Sequence, residues 1–156
     1  MNFYIRIESK YPFTYCDCCG SCFGEEHTVY VNETEIWYSK SDGHMWAEQS
    51  DKPLVDSFLE YWYDSHLQEI NSFYTEEERI KYNEKHPGNG IARTPEAWKE
   101  HKEHQIEILR DSWLQIKCEV ENVPSDMLRR LKVVSLWIQE EYDEDSFFFE
   151  ESKNRL

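Results

Sequence analysis

The spacing of apolar residues changes period once along this chain, near Asp51, and that change limits the fold more than any other feature. Before it, Phe3, Ile5 and Ile7 alternate with Tyr4, Arg6 and Glu8, the period of a strand with one buried face. Residues 27–32 and 35–39 are rich in β-branched and aromatic side chains: Val29, Tyr30, Val31, Ile36, Trp37 and Tyr38. Ser41-Asp42-Gly43 offers residues that tolerate positive φ, so a hairpin is expected to lead into 44–48. Between these runs, 11–24 carries Pro12, Gly20, Gly24 and most of the cysteines, and reads as a loop.

After Asp51 the spacing becomes helical. Val55, Phe58, Leu59, Trp62, Ile70 and Phe73 fall near i, i+3, i+4 and i+7 behind a cap at Ser50 or Asp51. Thr75 to Glu78 is a capping box for a shorter helix, which His86-Pro87-Gly88 should end. Thr94-Pro95 opens a third helix with Trp98, Gln105, Leu109, Ser112, Trp113, Ile116 and Val120 inward. Pro124-Ser125 separates it from a fourth, 126–142, with Leu128, Leu131, Val134 and Ile138 inward. The expected fold is α+β: N-terminal antiparallel β-hairpins of three or four strands packed against four helices. No repeat or linker divides it, so 1–156 reads as one domain. Within it 1–50 is mainly β with a Cys-rich loop at 16–24, 51–142 mainly helical, and 143–156 an acidic-aromatic C-terminal segment.

The sharpest chemical feature is Cys16-Asp17-Cys18-Cys19-Gly20-Ser21-Cys22. It contains two overlapping C-x-x-C units, Cys16/Cys19 and Cys19/Cys22. A zinc knuckle needs this spacing, because the chain must fold back on itself with glycine at the tight turn. Adjacent Cys18 and Cys19 tend to point apart, so the expected ligands of one zinc ion are Cys16, Cys19, Cys22 and His27. Reduced thiols without metal are the alternative, and a local disulfide closes too small a loop to stabilise much. Cys118 sits among Leu114, Ile116 and Val120 and reads as a small core residue. His101 and His104, with Glu100, Glu103 and Glu107, lack the H-E-x-x-H spacing and read as a solvated helix face. Asp64 and His66 have no accompanying nucleophile motif, and no phosphate-binding glycine loop occurs. The expectation is a chain that is not an enzyme.

Charge narrows the partner. The net charge is −15, and the acid excess is spread over all three thirds of the chain, which opposes direct binding to a nucleic-acid backbone. Glu140, Glu141, Asp143, Glu144, Asp145, Glu150 and Glu151 follow one another without a base and surround Phe147, Phe148 and Phe149. Glu140, Glu141 and Asp143 would sit at the negative end of a helix dipole, where carboxylates are mildly unfavourable. This segment is therefore read as a partner-binding surface that the fold itself does not need. No stretch is apolar enough for a membrane span, no long apolar run marks a signal peptide, and clustered thiols suit a reducing cytoplasm.

The functional expectation is a non-enzymatic acidic binding protein that engages a basic protein surface. Its concrete form is an inhibitor occupying the nucleic-acid groove of a DNA- or RNA-handling enzyme. Small, acidic, motif-poor chains of that kind are typical of phage anti-defence proteins, anti-CRISPR proteins among them. The alternative is a small zinc-stabilised regulatory module acting through its Cys-rich loop.

Overall fold

The alternation at the N-terminus buries one face of a long strand completely: Phe3, Ile5 and Ile7 are at most 1% exposed. The computed structural model describes residues 1–120 and 126–155. Six strands precede the first helix: β1 (Asn2–Tyr11), β2 (Phe13–Cys16), β3 (Gly20–Phe23), β4 (Glu25–Val31), β5 (Thr34–Ser41) and β6 (Ala47–Gln49). The helices are α1 (Leu54–Phe73), α2 (Glu76–Lys85), α3 (Pro95–Val120) and α4 (Met127–Glu141), and the last element is a strand, β7 (Ser146–Arg155). The class is α+β, with N-terminal antiparallel strands and four helices.

The main sheet has the order β6-β5-β4-β1-β7. β4 and β5 join through Asn32 and Glu33, both at positive φ (48° and 65°), as a two-residue hairpin turn requires. Asn32 fits that conformation and also accepts the Tyr4 N–H at 2.9 Å. β7 runs parallel to β1, Phe3 opposite Phe147 and Ile5 opposite Phe149. Phe147 stacks on Phe3 with ring centroids 5.0 Å apart and meets Phe58 of α1 at 5.8 Å. The C-terminal segment is thus a sheet strand, which local sequence did not announce. On α4, Leu131, Val134, Ser135 and Ile138 are buried, and Lys132 pairs with Glu151 of β7.

The chain forms two compact units, Met1–Phe58 with Val120–Leu156, and Leu59–Glu119. In the second unit the expected caps are in place: Thr75 Oγ1 accepts the Glu78 N–H at 3.3 Å and Thr94 Oγ1 accepts that of Ala97 at 3.1 Å. Trp98 donates its indole N–H to the Thr75 carbonyl at 3.1 Å and packs against Phe73, Tyr74 and Tyr82. Asp126 caps α4 through the Arg129 N–H at 2.9 Å. The expected break at Pro124-Ser125 lies outside the described residues. Two expectations fail. Residues 11–24 are not a loop but a second antiparallel sheet, β2 on β3, with Phe13 opposite Phe23 and Cys16 opposite Gly20. Cys118 is exposed rather than a core residue, because its turn of α3 buries Ile116 instead.

Candidate metal centre

The β2–β3 hairpin turns through Asp17, Cys18 and Cys19, with Gly20 at φ +84° completing the reversal. Register places Cys16 and Cys22 on the same face of the hairpin, since residues two apart on a strand, and their cross-strand partners, share a side. Cys19 lies at the turn, with its sulfur 3.2 Å from that of Cys22. Cys22 is buried, Cys16 half-buried and Cys19 exposed.

The fourth donor comes from the β5–β6 connection. Asp42 Oδ1 accepts the backbone N–H groups of His44, Met45 and Trp46 at 2.9–3.0 Å, and these bonds hold its carboxyl below the usual carboxylate range, Trp46 contributing most. The Asp42 N–H closes the loop on the Trp46 carbonyl at 3.1 Å. Gly43, at φ +77°, passes so close to β3 that an added Cβ would stand 2.2 Å from the Phe23 carbonyl oxygen. The rigid loop therefore lies directly on the hairpin. Its next residue, His44, brings Nδ1 to 3.6 Å from the Cys19 sulfur. The donor atoms of Cys16, Cys19, Cys22 and His44 all lie within 4.8 Å of one another, close enough to hold a metal ion.

The thiols differ electrostatically. Backbone N–H groups of Cys19 and Cys18, with the Cys19 thiol, lower Cys16 to about 7. Hydrogen bonds to Cys22 and Cys16 push Cys19 up to about 12. The hydrogen bonds thus favour the thiolate at Cys16 and the thiol at Cys19. A cation held here would bind all three as thiolates.

Cys16, Cys19 and Cys22 come together; His27 does not join them and is replaced by His44. His27 lies opposite Ser9 on the β4 face that carries Val29 and Val31, both fully buried. Its Nδ1 is 2.8 Å from Ser9 Oγ, its Nε2 is 3.7 Å from Glu25, and Tyr11 meets its ring edge-on. Strand alternation thus commits it to the sheet. The sequence signal for His44 was the Ser41-Asp42-Gly43 turn just before it, read only as a hairpin connection. Cys18 is exposed and outside the donor set.

Among the described residues no second group of three such donors converges. His101 is engaged by the Tyr74 hydroxyl at 2.6 Å. Asp64 and His66, two apart on α1, point to different sides; His66 is buried and packs against Trp62 with centroids 4.9 Å apart.

The acidic-aromatic segment divides. Asp145 is fully buried, 3.3 Å from the Met1 amino group, so it serves the fold, contrary to the reading of all seven acids as dispensable to it. Glu151 is paired with Lys132, and Phe147 lies in the ring stack with Phe3. Glu140, Glu141, Asp143, Glu144 and Glu150 remain exposed. Phe148 is half exposed and stacks on Tyr4 at 5.0 Å, while Phe149 faces the Lys132 ammonium at 5.8 Å. Among the described residues no helix is long and apolar enough to cross a membrane. No protein-family profile matches this sequence, and neither the curated proteins nor the solved structures contain a match.

Proposed function

We propose that this chain is a non-enzymatic binding module in which one zinc ion, held by Cys16, Cys19, Cys22 and His44, fixes the β2–β3 hairpin against the Asp42 loop. The observation that carries this reading is the convergence of the four donors within 4.8 Å. Three thiolates and an imidazole are the donor chemistry of structural zinc sites. Zinc–sulfur bonds of about 2.3 Å make the edge of such a tetrahedron about 3.8 Å. The Cys19–His44 separation of 3.6 Å is near that edge, and the Cys19–Cys22 separation of 3.2 Å is somewhat shorter. A closed set of four protein donors leaves no open position for substrate, so the ion's role is structural. The five cysteines are free, and a reducing cytoplasmic setting suits this reading.

The partner in this reading is a protein with a basic surface, and the net charge of −15 supports it. A second, more specific form is an inhibitor seated in the basic nucleic-acid groove of an enzyme, as phage anti-defence proteins do. The exposed carboxylates of Glu140, Glu141, Asp143, Glu144 and Glu150 favour it. Cobalt substitution tests the metal site. Tetrahedral thiolate ligation gives intense visible absorption and sulfur-to-cobalt charge transfer, which should fall when His44 becomes Ala and persist when His27 does. A weak octahedral spectrum would exclude the site.

A further inference from the structure

The main sheet ends on one side at β6, three residues long, and on the other at β7, ten residues long. β7 carries no proline, and its register with β1 runs unbroken from Asn2 opposite Ser146 to Tyr11 opposite Arg155. The Ser146 N–H donates to the Met1 carbonyl at 2.9 Å, so the even-numbered residues of β7 turn their backbone groups toward β1. The N–H and C=O groups of Phe147, Phe149, Glu151 and Lys153 therefore point away from the sheet. Among the described residues no strand pairs with that side. A long, regular edge of this kind is a template for one more strand.

The parity of these outward groups restricts how a second β7 can pair with the first. In an antiparallel pair the outward groups of one strand must meet those of the other, so odd-numbered residues oppose odd-numbered ones. With Ser152 on the two-fold axis, Glu151 of each copy stands directly opposite Lys153 of the other, and Glu150 opposite Asn154. Moving the axis one residue either way sets Glu151 against itself or Lys153 against itself. Opposite charges facing each other across a strand pair attract and like charges repel, so the charge pattern selects the Ser152 register. Glu151 and Lys153 are both exposed. Glu151 already holds Lys132 of α4, and the partner's Lys153 would extend that ion pair into a chain of three charges.

We propose that β7 is a dimerisation edge: two copies of this chain join their β7 strands antiparallel about Ser152 and merge two five-stranded sheets into one. The same strand serves on both copies, as a two-fold contact requires. This goes beyond the metal reading and does not depend on it. The net charge of −15 opposes association at a distance, but salt at physiological strength screens that repulsion beyond about 8 Å. Directly opposed Glu151 and Lys153 act at contact, inside that range.

The test is sedimentation equilibrium of the full chain, kept reduced so that no disulfide links two copies, at about 0.15 M salt. The parent should show a monomer–dimer equilibrium with Kd at or below about 100 μM. Lys153→Glu should weaken it at least about tenfold, and Glu151→Lys should do the same. An equimolar mixture of these two variants restores both Glu–Lys pairs and should recover the parent's association. Lys153→Pro removes an outward N–H and leaves the ladder to β1 intact, so it should also give monomer; it serves if Glu151→Lys does not fold. A parent still monomeric at about 1 mM overturns the proposal. So does a dimer untouched by Lys153→Glu and Lys153→Pro, which another surface would then hold. A mixture of the two folded charge variants that associates no better than either alone overturns it as well.

Discussion

Replacing Gly43 by Ala should separate a metal site that depends on the Asp42 loop from one that the hairpin alone could build. Gly43 sits at φ +77°, and an added Cβ would meet the Phe23 carbonyl oxygen at 2.2 Å and its carbon at 2.8 Å. The left-handed conformation costs a non-glycine residue about 1–2 kcal/mol. Relieving the overlap to an ordinary contact needs a retreat of about 1 Å. Both neighbours are backbone, so no side chain can swing aside. The retreat carries His44 with it, and the 3.6 Å separation from the Cys19 sulfur is lost. Gly20→Ala is the control: its φ is +84°, but an added Cβ meets nothing within 4 Å. That variant should feel backbone strain alone, up to about tenfold in zinc affinity, whereas Gly43→Ala should lose up to about 100-fold. Competition against a chromophoric chelator measures both. If Gly43→Ala binds zinc like the parent, or the two variants lose equally, the loop does not position a ligand and the reasoning fails.

Other substitutions probe the fold around this centre. Asp145→Asn should cost about 1–3 kcal/mol in denaturant unfolding, because its carboxylate is buried beside the Met1 amino group; Asp143→Asn, exposed nearby, should leave the midpoint unchanged. Glu33→Gly removes a left-handed non-glycine residue at φ +65°, worth about 1 kcal/mol, and gives up only an exposed ion pair to Arg6, so the melting temperature should hold or rise. The Tyr38 hydroxyl donates to Glu48 at 2.8 Å, which raises its pKa. A raised value in the fold means a stabilisation fully present below the ordinary tyrosine range and lost as pH rises through the folded value. The stability gap between parent and Tyr38→Phe should therefore be constant from neutral pH to about 9 and close above about 10; a gap that widens with alkali would contradict the assignment.

What was legible in the sequence was local. The alternation of Phe3, Ile5 and Ile7, and the caps at Thr75 and Thr94, depend on neighbours within a turn or a strand pair, and the structure has them. β7 was not legible because its partner is β1, at the other end of the chain. Three consecutive phenylalanines show no period until that register assigns Phe147 and Phe148 to opposite faces. The hairpin at 13–23 was hidden by Pro12 and its glycines, which read as breakers although one of them, Gly20, makes the turn.

The candidate metal donors follow the same rule. Cys16, Cys19 and Cys22 belong to a single hairpin, and their spacing alone brings them together. The fourth donor depends on tertiary placement. His27 was the nearest histidine in sequence, yet pairing with Ser9 turns it to the sheet's buried face. His44 qualifies only because Asp42 rigidifies its loop and Gly43 lets that loop lie on β3.

The most direct test is the metal content of the full chain purified without chelator, alongside Cys22→Ser, His44→Ala and His27→Ala. Elemental analysis should find about one zinc per chain in the parent and in His27→Ala, and much less in Cys22→Ser and His44→Ala. A parent free of zinc after exposure to the ion, with freely titrating thiols and an unchanged melt, would contradict the central claim.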